Sequence, residues 1–177
     1  MAARTTVITF LAAGVATAAA GAAVSSSPQD LLLKRSDMPA GAKRVSFGGQ
    51  KGAIKIPRTV HGRVAYVAYT FRSGSRTEGV GEAVGTLANS SDAHDVYVSL
   101  KRKSTTQLNR FPRLAVPKFG QEQFSRGIAS PYSISILVVH SGSVIWELVV
   151  SAYPSLPKRQ LIAELSKYAA KAKSRAT

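Results

Sequence analysis

The sequence predicts a single α+β domain, a twisted antiparallel sheet with two main helices packed on one face, and three observations carry that expectation. Apolar residues fill 45% of the 177 positions, against 14 glycines and 8 prolines. That is enough material for one core and too little low-complexity sequence for a disordered or collagen-like chain. Some segments alternate apolar and polar residues with the period of a strand, whereas two others repeat apolar residues every three to four positions. A helix with one apolar stripe must bury it against another layer, so strands and helices together resolve as a sheet carrying helices.

At the start of the chain, Arg4 precedes an uncharged run of 17 residues, 7–23, that ends in small side chains and is followed by Ser25, Ser26 and Ser27. This is the composition of a secretory signal peptide, with Ala20 and Ala22 suited to a cleavage site. The run is at the lower limit for a membrane-spanning helix, so cleavage is expected rather than retention as an anchor. Residues 1–23 are read as the leader, 24–35 as a polar lead-in with a short helical turn, 36–172 as the domain and 173–177 as a frayed tail. The expected product is an extracytoplasmic monomer without a transmembrane helix. There is no cysteine, so a disulfide framework, a thiolate centre and a lipid-anchored cysteine are excluded, and an exported body of this size must be held by its core.

Residues 30–33 are expected to begin a helical turn ending before Pro39, and Met38-Pro39-Ala40-Gly41 to turn the chain. Residues 45–62, interrupted by Gly48, Gly49, Gly52 and Pro57, read as a long surface loop. Residues 63–72 alternate, with Val67, Tyr69 and Phe71 on one face and Tyr66, Ala68 and Thr70 on the other, and predict a strand. A second strand is expected over 79–87. Over 91–108 the period changes: Ala93, Val96, Tyr97, Leu100 and Leu108 fall on one side of a helix. Ser91 or Asp92 is placed to cap it, and Lys101, Arg102 and Lys103 lie towards its negative end, where a cation gains ~0.3 to 1 kcal/mol. Residues 132–150 read as a hairpin whose three-residue loop is His140-Ser141-Gly142, setting Val138 opposite Val144, Ile136 opposite Trp146 and Ile134 opposite Leu148. Ser155 and Pro157 open a last helix, in which Leu161, Ile162, Leu165, Tyr168, Ala169 and Ala172 recur at helical spacing.

Met38-Pro39-Ala40-Gly41, the strand and helix of 80–100, the Phe119-Gly120-Gln121-Glu122 step and the hairpin with Gly142 together resemble secreted or lipid-anchored actinobacterial proteins. They are also similar to the extracellular sensor domain of mycobacterial membrane serine/threonine kinases. The resemblance covers most of the chain after the leader. It implies a noncatalytic domain of the cell envelope with a ligand-binding role, and it transfers no ligand residue. The chain departs from the kinase sensors in having no disulfide cysteines and no kinase or transmembrane segment, and from the lipoproteins in having no lipobox cysteine.

Charge is the strongest functional signal in the residues themselves. Lysine and arginine number 24 against 9 acids, a net charge of +15. The basic residues concentrate in 34–63, 101–126 and 158–175, and the stretch between the first two is slightly acidic. Such segregation suits an anionic cell-wall polymer or lipid headgroups. Lys43, Arg44, Lys101, Arg102, Lys103, Arg110 and Arg113 are the candidate anion-binding residues. No specific nucleic acid is expected, because no nucleic-acid-binding motif is present.

The remaining chemistry candidates read as structure. Asp92, His94 and Asp95 are close enough for a metal site, but the acids also suit a helix start, so neither a metal nor another cofactor is expected. His61 and His140 fall in expected loops, without a nearby acid in sequence, and read as solvated. The glycines of 79–85 lack the third glycine of a dinucleotide loop and read as a glycine-softened strand. Tyr66, Tyr69, Phe71 and Trp146 are assigned to packing rather than to a cleft. No catalytic residue is assigned, and the expectation is a noncatalytic, sensor-like envelope binding domain. The alternative is a small secreted hydrolase assembled from Ser, His and acidic residues, with Glu78, Glu82, Glu122 and Glu147 as possible carboxylate partners.

Overall fold

The computed structural model describes residues 15–16, 27–55, 59–107 and 111–176. In chain order these form β1 (Val15–Ala16), α1 (Pro28–Leu31), a 3-10 turn (Arg35–Asp37), β2 (Lys43–Lys55), β3 (Thr59–Ser73) and β4 (Arg76–Leu87). There follow α2 (Ser90–Gln107), β5 (Glu122–Ile128), β6 (Ser133–Ser141), β7 (Val144–Tyr153) and α3 (Lys158–Ala176). Two antiparallel meanders, β2-β3-β4 and β5-β6-β7, join where β4 pairs with β7, so the sheet runs β1-β2-β3-β4-β7-β6-β5. Apart from Val15 and Ala16, which pair with Ile54 and Ala53, the expected leader lies outside the described residues. The architecture is the expected single α+β domain with an antiparallel sheet, and no helix among the described residues is long and apolar enough to cross a membrane.

The two long helices lie on opposite faces of the sheet rather than together on one, and side-chain alternation explains why. Ala65, Val67, Tyr69 and Phe71 of β3 point the same way as Val80 and Val84 of β4, Leu137 and Val139 of β6, and Trp146, Leu148 and Val150 of β7. They pack with Leu161, Leu165, Tyr168, Ala169 and Ala172 of α3. The intervening positions Val60, Leu87, Ile136, Val138 and Ile145 point the other way and pack with Ala93, Val96 and Tyr97 of α2. Successive strand residues face opposite sides, so a sheet apolar on both faces needs a cover on each. Full burial of each Leu or Val is worth ~1.5 to 3 kcal/mol.

Several elements differ from expectation. The region expected to be a loop over 45–62 is largely β2 and the start of β3. Gly48 and Gly49 sit where a side chain is crowded: a Cβ on Gly48 would stand 2.7 Å from Cζ of Tyr66, and one on Gly49 would stand 3.0 Å from the Val64 carbonyl oxygen. The β6–β7 hairpin has a two-residue turn, pairing Ser141 with Val144, Val139 with Trp146 and Leu137 with Leu148. Gly142 takes its first position with φ 58°, as Gly74 does with φ 61° in the β3–β4 turn. That is the glycine-first arrangement favoured where two twisted strands reverse in two residues.

The cap of α2 is Asn89, one turn before the Asp92 amide, which donates to Asn89 Oδ1 at 2.8 Å. The packed body starts before residue 36, since Leu31, Leu32 and Leu33 are buried in the core under α3. The tail is also anchored: α3 continues to Ala176, and its Arg175 pairs with Asp37 at 2.5 Å.

Candidate functional site

The seven candidate basic residues do not form one patch. Lys43 and Arg44 sit at the start of β2, one edge of the six long strands. Arg113 bridges to Arg126 of β5 at the opposite edge, and Lys101, Arg102 and Lys103 lie on α2. Arg110 is outside the described residues. Five strand spacings of ~4.8 Å separate β2 from β5, ~24 Å in all. That is about three screening lengths at physiological salt, so the two edges present separate fields.

What surrounds Arg44 is more informative than its sequence neighbours. A cleft of about 590 Å³ opens between the α1 region and strands β2 and β3, lined by Leu32, Leu33, Phe47, Val67 and Tyr69 together with Gln29, Lys34, Arg35 and Arg44. The Arg44 guanidinium carbon lies 4.9 Å from the centre of the Phe47 ring, a cation–π contact that holds the charge at the mouth. Phe47 is 53% exposed although it is a large apolar side chain. The sequence reading omitted Lys34 and Arg35 because it took β2 for a loop, which left them no strand to face; the signal was there in two cations following the Leu31-Leu32-Leu33 run. Tyr69, assigned to packing, is both core and cleft wall.

Below the cleft, Glu82 of β4 is buried, and its Oε2 accepts the Leu33 N–H at 2.5 Å. Burial pushes its carboxyl up to about 8, against the opposing pull of that N–H. The floor is therefore mostly protonated at neutral pH, and the charges acting on the Tyr69 hydroxyl in the cleft wall include Arg44 and Arg35 together with Asp37. A second cleft of about 250 Å³ lies between the β3–β4 turn and α3. Two of the cations that line it are paired within the protein, Arg76 with Glu78 at 3.7 Å and Lys167 with Glu164 at 2.5 Å, and Arg72 lines it as well.

The histidines contradict the sequence reading most directly. His140 lies in β6 rather than in a loop and is only 4% exposed. Its register partner on β5 is Glu122, a pairing invisible without β5. The Glu122 Oε2 lies 3.0 Å from His140 Nδ1 and 2.6 Å from Nδ1 of His94 on α2. The His94 bond, opposed by a small burial cost and aided by His140, holds the Glu122 carboxyl below its usual range. Asp92, expected beside His94 in any metal set, instead engages the Asn89 cap. His61, expected in a loop, is an exposed residue of β3.

The four glutamates do not pair. Glu78 and Glu82 share a face of β4 but stand four residues apart, ~14 Å along a strand. Glu147, buried and pushed up to about 7 by that burial, belongs to the opposite face. The glycines of 79–85 lie within β4. Trp146 is fully buried beside Phe119. Comparison with protein-family models, with curated proteins and with solved structures finds no match to this chain.

Proposed function

We propose that this chain is a noncatalytic, extracytoplasmic binding domain that takes an anionic amphiphile of the cell envelope in the cleft between α1, β2 and β3. The observation that carries the reading is the composition of that cleft: three cations, Lys34, Arg35 and Arg44, rim a wall made of Leu32, Leu33, Phe47, Val67 and Tyr69. Its volume falls in the range of small-molecule sites, ~300 to 1,000 Å³. An acyl segment against the wall gains ~0.8 kcal/mol per buried methylene. An anionic headgroup meets guanidinium and ammonium groups at the rim, and the chain after the leader, with 23 basic residues against 9 acidic ones, attracts it from a distance.

The signal-peptide-like leader and the resemblance to envelope sensor domains support the same setting. The smaller volume of the second cleft, with two of its cations already paired to carboxylates, makes it the weaker candidate. The serine-hydrolase alternative draws no support from His94 and His140, where a carboxylate rather than a hydroxyl stands beside each ring.

The test is titration of the protein with dodecyl phosphate, followed by isothermal calorimetry and by amide NMR shifts. Saturable binding is expected at low salt, with shifts centred on Leu32, Leu33, Phe47 and Val67. Affinity should fall about tenfold or more in Arg35→Gln/Arg44→Gln and in Phe47→Ala, and should weaken as salt rises. No binding at low salt, or binding that these substitutions leave unchanged, overturns the reading.

A further inference from the structure

We propose that His94, Glu122 and His140 form a binding site for a divalent transition-metal ion of the zinc class. The three side chains come from α2, β5 and β6, and one donor atom of each lies within 4.8 Å of the other two. They lie on the α2 side of the sheet, whereas the amphiphile cleft lies on the α3 side, and the inference does not depend on that reading.

The hydrogen-bonding of His140 carries the argument. Its Nε2 stands 2.9 Å from the carbonyl oxygen of Gly142. A carbonyl only accepts, so Nε2 carries the hydrogen. In the neutral ring Nδ1 then holds a lone pair, and that lone pair faces a carboxylate oxygen, another acceptor, at 3.0 Å. A metal cation seated between these two atoms, with the His94 Nδ1 beside them, satisfies both. A backbone carbonyl fixing the far nitrogen while the near one points into a cluster is the arrangement that orients metal-bound histidines.

The support extends one layer further. Gln121 Oε1 accepts the Gly142 N–H at 3.0 Å, and the Gln121 N–H donates to the His140 carbonyl at 2.9 Å. The turn that orients His140 is thus tied to the residue preceding Glu122.

Two imidazoles and one carboxylate are the donor set of borderline ions such as zinc, and they leave a fourth position for water or a ligand. In a tetrahedral site with bonds of ~2.0 to 2.2 Å, donor atoms stand ~3.4 Å apart. The two nitrogen-to-carboxylate distances, 2.6 and 3.0 Å, need to widen by under about an ångström. His94, whose side chain is 50% exposed, has room to supply that movement.

The experiment uses the full chain, stripped with EDTA and titrated with Zn²⁺ against a chromophoric chelator. One ion per chain with micromolar or tighter affinity is expected, accompanied by a rise in the thermal midpoint. His94→Ala, at an exposed position, and the near-isosteric Glu122→Gln should each weaken binding at least tenfold and remove the thermal shift. Substitution of the distant His61 by Ala should leave both unchanged. Absence of zinc binding overturns the proposal, as does binding that survives His94→Ala and Glu122→Gln, or that is lost in His61→Ala.

Discussion

Leu33 and Glu82, 49 residues apart, are joined by a hydrogen bond in which the Leu33 amide donates to a carboxylate oxygen buried under the segment that follows α1. The other oxygen, Oε1, is buried without a partner. A carboxyl so placed is stable chiefly in its protonated form, because an ionised one would leave a charge in a dry site with a single donor. The wall of the cleft between α1, β2 and β3 thus rests on an acid that is mostly protonated at neutral pH.

The pH dependence of stability follows from that raised value. Between the ordinary 4.5 and about 8, the folded carboxyl keeps a proton that the unfolded chain has released. Stability therefore falls as pH rises through this window and levels off above it. Glu82→Gln keeps an acceptor for the Leu33 N–H and removes the ionisation. It is expected to erase on the order of 2 to 4 kcal/mol of the decline. Urea unfolding at pH 5, 7 and 9 checks this: a variant curve parallel to that of the wild type would show that Glu82 does not titrate in this range. Glu147, pushed up to about 7, acts with the same sign over a narrower window, so part of the slope should survive in Glu82→Gln and disappear in the double variant.

Asp37 behaves in the opposite sense. Burial pushes its carboxyl up, but the Arg175 bond, the Lys34 N–H and the nearby Arg175 and Lys171 charges bring it to a net value below 3.8. A depressed folded value contributes stability that is present above the unfolded value and is lost as pH falls through the folded one. Arg175→Gln should therefore cost about 1 to 3 kcal/mol near pH 7, since it leaves a largely buried carboxylate short of its partner. The difference from wild type should shrink towards pH 2. An equal cost at both pH values would assign the effect to packing of the α3 end instead.

How much of this was legible in the sequence depends on where each element sits in the sheet. The central strands β3, β4, β6 and β7 carry dense apolar runs, so their existence was readable. The outermost long strands β2 and β5 were not, because such a strand needs apolar residues on less of its surface. β2 carries glycines where Tyr66 and the Val64 carbonyl approach, and β5 interleaves Glu122 and Arg126 with Phe124 on one face.

The hairpin register was misplaced by a similar ambiguity. Leu137, Val139, Ile136 and Val138 are apolar on both faces, so apolar pairing alone did not select one alignment. Both candidate sites failed to emerge for this reason: the cleft needs β2, and the histidine cluster needs β5 opposite β6. The stripe of α3, from Leu161 to Ala172, was readable because a terminal helix has one buried side and one solvated side.

Gly127 gives a final check on the β5 edge, where backbone from three segments converges. A Cβ there would stand 2.9 Å from the Ile134 carbonyl oxygen and 2.6 Å from Cδ1 of Leu114, and the Gly127 N–H donates to the Pro112 carbonyl at 3.0 Å. The Leu114 methyl can rotate aside, but the carbonyl belongs to the β5–β6 ladder and moves only with it. Gly127→Ala should therefore cost about 1 to 3 kcal/mol as an overpacked site, a fall in Tm of roughly 3 to 10 °C for a domain of this size. The β3–β4 turn supplies the comparison. At Gly74 a Cβ meets nothing within 4 Å and only the positive φ of 61° opposes it, so Gly74→Ala should cost ~1 kcal/mol. If Gly127→Ala melts at or above the temperature of Gly74→Ala, then β5 does not lie against residues 112–114 as described, and the register that brings Glu122 to His140 must be redrawn.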